Sequence, residues 1–258
     1  MHSLYLKFPS IYLERPVDVS CYFLSDQTVF DHLIIINDGQ DLPQMDISAL
    51  LRQQVESNGA HTLIVGCAAA IGDQRKQEYG VQWAEDYAGR GAKANLYAKF
   101  ITEELITWIE NKFRFSEHVH RTIAGWSLGG LSAIDIAWHA PQLFKKAGVF
   151  SGSFWWRNPH LIIDDVHHRL MHHKVKHTPE PPRLKLWFQA GTNDEKADRN
   201  KNGIIDVIDD TLDLMSELEA KGYKKGDDMQ FHIEQGGNHD VQTWAKVMPL
   251  FMAWVTAV

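Results

Sequence analysis

Residues 120–140 read HRTIAGWSLGGLSAIDIAWHA, and the architecture follows from how that run is interrupted. An apolar segment, 121–126, stops at a serine set among glycines, and an apolar segment with helical spacing resumes at 131–140. A chain building only a core has no use for Gly125, Ser127 and Gly129 at such a join. Together they match G-x-S-x-G between a strand and a helix, the setting in which a serine stands on a sharp, strained turn. Residues two positions to either side must be small there, or their Cβ atoms would collide across the passage. A helix starting at Leu128 directs the positive end of its dipole at the turn, where developing negative charge is stabilised. Ser127 is therefore a candidate nucleophile and the Leu128 N–H a candidate oxyanion donor. A plain Gly/Ser turn is the alternative.

Working outward, apolar runs at 17–24, 30–37, 61–66, 145–152, 184–191 and 229–236 also read as strands. Several are continuously apolar, as central strands of a parallel sheet covered on both faces must be. Between them 47–57, 94–113, 208–222 and 241–255 carry helical periodicity; Leu96, Phe100, Leu105, Trp108 and Ile109 show it in the second. The alternation predicts one α/β domain over 1–258, with a mostly parallel sheet and helices on both faces. Residues 153–183, rich in His and Pro and without a clean period, predict a cap or lid.

Composition narrows the classes. With 23% charged residues, a net charge of −7 and Lys and Arg scattered along the chain, no nucleic-acid partner is expected. The N-terminus lacks a signal-peptide pattern and no apolar run is long enough to span a bilayer, so a cytoplasmic chain with no membrane partner is expected. Cys21 and Cys67 lack metal-ligand spacing and read as buried thiols.

A nucleophilic serine needs a base, and the base an orienting acid, in the chain order Ser, Asp or Glu, His. In EQGGNHDVQTW (234–244), His239 follows the last strand and precedes the last helix, where such a base belongs. His232 lies inside the strand and reads as structural. In WFQAGTNDEKADRN (187–200), Asp194 is the first carboxylate past a strand end, with Glu195 as its competitor.

Taken together, INDGQDL (36–42), GWSLGG (125–130), FSGSFWW (150–156) and GGNHD (236–240) resemble the family of esterases that contains esterase D, enterochelin esterases, feruloyl esterases and mycolyltransferases. The likeness runs from about residue 10 to the C-terminus, with the motifs in the family's order. It implies the α/β-hydrolase fold and agrees with Ser127, Asp194 and His239. It also implies that Gln40 supplies a second oxyanion N–H, with Gly39 allowing close approach of the backbone. RKQEY (75–79) fits an element of the same family, implying roles for Arg75, Glu78 and Tyr79, either toward substrate or in a salt-bridged loop that shapes the site. Trp126 within the serine motif, and Trp155 and Trp156 past a strand end, are candidate substrate contacts; packing a lid onto the body is the other reading of the last two.

A second constellation stands apart. In DRNKNGIIDVID (198–209), Asp198, Asn200, Asn202, the carbonyl of Ile204, Asp206 and Asp209 fall in the register of an EF-hand-type calcium loop, with Gly203 at its turn. A structural calcium is the expectation, with no cofactor for catalysis; acidic residues favouring a helix start is the alternative. In HHRLMHHKVKH (167–177), His168 and His172 are four apart, but no carboxylate pattern supports a metal and a solvated lid helix is expected.

The sequence thus predicts a serine carboxylesterase acting through an acyl-enzyme on a small-molecule ester, of carbohydrate or siderophore type. Acyl transfer or thioester cleavage by the same triad, and a binding module retaining the fold, are the rivals.

Overall fold

The computed structural model of the protein describes residues 1–165 and 167–257; Val166, in the expected cap segment, and Val258 lie outside the described residues. The seven segments read as strands are all strands, and an eighth precedes them. In chain order they are β1 (His2–Ser10), β2 (Arg15–Phe23), β3 (Phe30–Asn37), β4 (Thr62–Cys67), β5 (Phe115–Trp126), β6 (Lys146–Phe150), β7 (Lys185–Asn193) and β8 (Met229–Asn238). They form one sheet in the order β1-β2-β4-β3-β5-β6-β7-β8. β2 is antiparallel to both its neighbours, and every pair from β4 across to β8 is parallel. The strand absent from the sequence reading, β1, is an edge strand. Its Leu4, Leu6 and Phe8 turn inward while Ser3, Tyr5 and Lys7 face water.

Helices cover both faces, which explains the continuous apolar runs. Along β3, Leu33 and Ile35 join one core and Ile34 and Ile36 the other. The first core takes side chains from α3 (Ala94–Lys99), α4 (Ile106–Lys112), α5 (Leu128–His139) and α7 (Asp206–Ala220). The second takes α1 (Ile47–Asn58) and α8 (Val241–Thr256). The helix expected over 94–113 is interrupted by a π-helical turn, Phe100–Leu105, whose Phe100, Ile101 and Leu105 are all buried. A short α2 (Asp73–Glu78) follows β4.

The expected cap segment carries α6 (Leu170–His177) and is packed into the body. Phe154, Trp156, Ile162, Leu170, Met171 and Val175 are buried in the same core as the sheet. Among the described residues, no helix is long and apolar enough to cross a membrane.

Candidate active site

The site begins where β5 ends. Ser127 has φ 56° and ψ −125°, a conformation that costs an L-residue on the order of 1–3 kcal/mol and persists only where surroundings impose it. Here they do. The Ser127 N–H donates to the Phe150 carbonyl at 2.9 Å, and its own carbonyl accepts from Gly130, Leu131 and Ser153 at 3.1–3.2 Å. The small neighbours are required: a Cβ on Gly125 would sit 2.6 Å from the Gly129 backbone, and one on Gly129 2.5 Å from Asp38 Oδ2. As the first residue of α5, Leu128 has no intrahelical acceptor for its N–H, which is left facing the turn.

A cleft of about 290 Å³ opens over this turn, lined by Ser127, Leu128, Trp155, Asp194, Glu195 and His239 among the residues the sequence singled out. His239 stands just before α8, its ring edge-on to Trp244 at 5.4 Å. Its Nδ1 is 4.0 Å from Asp194 Oδ2, an electrostatic contact longer than a hydrogen bond. Burial lowers the imidazole pKa against the opposing pull of the Asp194 charge, so the ring favours the neutral, proton-accepting form. The Asp194 carboxyl is pushed up by its own burial, eased by the Ser151 hydroxyl, the Gly191 N–H and His239. Neither carboxylate oxygen has a donor in bonding geometry. The Ser151 oxygen accepts from Trp244 Nε1 at 3.0 Å, leaving its proton to turn toward Asp194.

The choice between adjacent acids is visible in the same region. Glu195 Oε1 accepts from the Val207 N–H at 2.7 Å and so caps the start of α7, whose own N-cap, Ile205, has no side-chain acceptor. Asp194 faces the histidine.

The other expected contacts lie elsewhere. Arg75 grips Asp38 through two hydrogen bonds, 2.7 and 2.8 Å, and does not line the cleft. Glu78 binds Arg15 in the same two-pronged way, and Tyr79 accepts from the Asp38 N–H at 3.0 Å. The element therefore braces the loop after β3. Asp38 is buried, and stripping its partner would leave an uncompensated charge at a cost of about 3–5 kcal/mol. Gly39 is needed for β4, since a Cβ there would meet the Gly66 carbonyl carbon at 2.4 Å. Gln40 lines a separate groove of about 440 Å³ with Tyr5, Tyr22 and Pro43. It is the second residue of a 3-10 helix (Gly39–Gln44), so its N–H lacks an intrahelical acceptor, and Asn37 ties this loop to α5 through the Gly129 carbonyl at 2.8 Å. Trp126 is buried, stacked on Trp244 and donating to Asp41. Trp156 is buried beneath the Arg90 guanidinium. Of the three tryptophans only Trp155 reaches the cleft.

Residues the sequence reading passed over complete the lining: Lys76, Arg90, Ser151, Gly152, Ser153 and Val207. Ser153 Oγ lies 3.3 Å from Ser127 Oγ. Arg90 is anchored on buried Asp86 and lies over the Trp155 ring at 5.5 Å. The FSGSFWW motif held Ser151, Gly152 and Ser153 in plain view, whereas nothing local marks Lys76 or Arg90.

The 198–209 loop turns its side chains on one another. Asp209 accepts from the amides of Asn200 and Asn202, both at 2.8 Å, and Asp198 accepts from the N–H groups of Asn202 and Gly203. Asp206 departs from the expected set: it is held by Arg199, through the backbone N–H at 2.8 Å and the guanidinium at 3.3 Å, at the first turn of α7. The carboxylates of Asp198, Asp206 and Asp209 do not converge as three ligands.

A family model described as "Putative esterase" matches residues 10–254. The chain belongs to that family. It is a carboxylic ester hydrolase with the α/β-hydrolase arrangement of strands. The YbbA protein of Bacillus subtilis is 23% identical over 229 residues, 86% of this chain and 84% of its own. The enterobactin esterase of Shigella flexneri, solved in the presence of enterobactin, matches 99% of this esterase with a TM-score of 0.74 at 18% identity. This esterase spans 59% of that enzyme's length. The BES protein of Bacillus cereus matches over 99% of this chain and 95% of its own, with a TM-score of 0.70 at 17% identity.

Proposed function

We propose that the esterase hydrolyses its substrate through an acyl-enzyme formed on Ser127, with His239 as base and Asp194 as the acid that orients it. The observation that carries this reading is a strained serine at a helix N-terminus sharing one cleft with a histidine that favours its neutral form and stays open to solvent, and with a buried carboxylate. His239 takes the Ser127 proton as Oγ attacks the ester carbonyl. The tetrahedral oxyanion is met by the N–H groups of Leu128 and Gln40, neither spent within its helix. His239 then returns the proton to the leaving alcohol, and water repeats the sequence to release the acid. Asp194 closes from 4.0 Å toward the imidazolium as that charge forms, so its stabilisation is spent in the transition state.

For the substrate we propose a small ester whose acyl part is aromatic and anionic, of siderophore type. Trp155 offers a ring face, and Lys76 and Arg90 supply positive charge on the same cleft. The Shigella enzyme, solved with 2,3-di-hydroxy-N-benzoyl-serine, supports this choice. Residues 153–183 serve as a fixed cap on a single domain, forming a wall of the cleft. For the 198–209 loop we propose a calcium ion held by Asp198, Asn200, Asn202, the Ile204 carbonyl and Asp209, which would stiffen the chain beyond Asp194 and take no part in the reaction.

The test is labelling with a fluorophosphonate, read by intact mass and peptide mapping. One adduct on Ser127, absent in Ser127→Ala together with a loss of esterase turnover of about 10⁴-fold or more, is the expected result. Full activity in Ser127→Ala after removal of contaminants would overturn it.

A further inference from the structure

The histidine run at 167–177 does hold a metal-like grouping, but not through the pair its spacing first suggests. His172 is buried, its Nε2 2.9 Å from the Asp210 carbonyl, and His168 precedes α6 with its Nδ1 2.6 Å from the Ile162 carbonyl. These two are engaged apart. His173 and His177, also four apart, stand on the outer side of α6 with ring centroids 4.2 Å from each other. The carboxylate missing from the local sequence arrives from the preceding loop. Asp164 Oδ1 is 3.0 Å from His173 Nδ1, and Oδ2 is 2.6 Å from His177 Nε2.

We propose that Asp164, His173 and His177 bind a first-row transition-metal dication, zinc foremost. Their three ligand atoms lie within 4.8 Å of one another, the only such grouping among the described residues. Imidazole nitrogens and carboxylate oxygens sit about 2.0–2.2 Å from zinc, which places two ligands of a tetrahedral ion roughly 3.3 Å apart. The His173–Asp164 spacing of 3.0 Å is close to that, and the His177–Asp164 spacing of 2.6 Å widens as the ion enters between the two atoms. Two imidazoles and one carboxylate suit zinc, nickel or copper over the hard cations that prefer all-oxygen shells.

Without metal, both histidines share one carboxylate, which they and Lys176 hold well below the usual range. Metal entry replaces the two ring contacts. Each imidazole presents a neutral lone pair, any proton on His173 Nδ1 or His177 Nε2 passing to water, and Asp164 supplies the anionic ligand. Lys176, 3.3 Å from Asp164 Oδ2 on a flexible, partly exposed stem, swings out to solvent. Side-chain exposures of 27% for His173 and 52% for His177 leave room for water to complete the shell. None of the three residues lines the Ser127 cleft. The ion would pin the loop before α6 to that helix, beside the Asp165–Arg169 ion pair, and so brace the cap.

Calorimetric titration of the untagged full chain with zinc chloride at pH 7.5 tests this. One tight site per chain is expected, weakened at least tenfold by His177→Ala and by Asp164→Asn, and unchanged by His118→Ala, an exposed histidine elsewhere. His173→Gln serves as a further variant, with melting curves confirming that each is folded. No stoichiometric binding, or binding that survives both His177→Ala and Asp164→Asn, would overturn the assignment.

Discussion

The turn at 125–130 lines the cleft, as do Asp194, Glu195 and Val207 of the wall that 194–213 forms with Asp165 and Arg169, and the two are built by opposite means. The turn is backbone-made: its strained serine is held by main-chain hydrogen bonds from β6 and α5, and its glycines by sheer lack of space. The wall is charge-made. Arg169, almost fully buried, binds Asp165 from its own segment and Asp210 and Asp213 from α7, while Arg199 of the 198–209 loop shares Asp210 at 2.5 Å. The chemistry proposed for Ser127 thus rests on short-range geometry that a larger side chain at Gly125 or Gly129 would crowd. The segment before α6 and the loop beyond Asp194 are tied to α7 by ion pairs, of which Arg169–Asp210 and Arg169–Asp213 join residues about forty apart in sequence. Their geometry should yield to substitution while the turn keeps its shape.

The sharpest way to break this contrast is at the neighbouring acids. Asp194→Asn removes the charge facing His239 and should lower kcat about 10³- to 10⁴-fold in steady-state assays. Since the Asp194 charge raises the imidazole pKa, the acid limb of the kcat/KM profile, already below pH 6.5 from burial, should move lower still. Glu195→Gln should leave kcat within a few-fold and instead lower the melting temperature through the α7 cap. Comparable activity losses in both variants would mean that the acid is not a single residue.

Next comes Arg169→Met, which strands Asp210 in the interior with Arg199 as its remaining partner. Denaturant unfolding should show a loss of about 3 kcal/mol, with kcat reduced less than tenfold. A loss of activity without loss of stability would place Arg169 in the reaction instead of the wall.

Acid should act on the buried histidines. Burial depresses His32 to about 4 and His172 to about 3. Their folded values lie below the unfolded one, so the stability they support above pH 6.5 is lost as pH falls, because the unfolded chain takes up protons first. Unfolding free energies from denaturant titration between pH 6.5 and 4.5 should decline by about 1 kcal/mol per pH unit for each histidine, and His172→Gln should flatten the slope.

The smallest effect belongs to the 198–209 loop, whose side chains already satisfy one another. Millimolar calcium should raise the melting temperature by a few degrees, reversed by chelator and abolished in Asp198→Ala. No shift would assign the loop's order to its own hydrogen bonds.

What could be read from residues alone was whatever is local. The strand, the glycine-flanked serine and the helix are consecutive, so steric exclusion and the helix dipole act within a few residues and leave their mark as a pattern. The parallel sheet was legible for the same reason, as apolar runs alternating with helical periods; the half-exposed edge strand β1 was not. Which of two adjacent residues faces the site is a different kind of fact. Asp194 and Glu195, and Trp155 and Trp156, are chemically alike; only the position of α7 draws the Glu195 carboxylate onto the Val207 N–H, away from His239, and only Trp155 of the second pair lines the cleft. Arg75 reads equally as a substrate contact or as part of a salt-bridged loop until Asp38, 37 residues earlier, takes its guanidinium. The histidine pair on α6 became a grouping only when Asp164 folded back onto it. Partnerships of charge are made across space, and the chain must close upon itself before they exist.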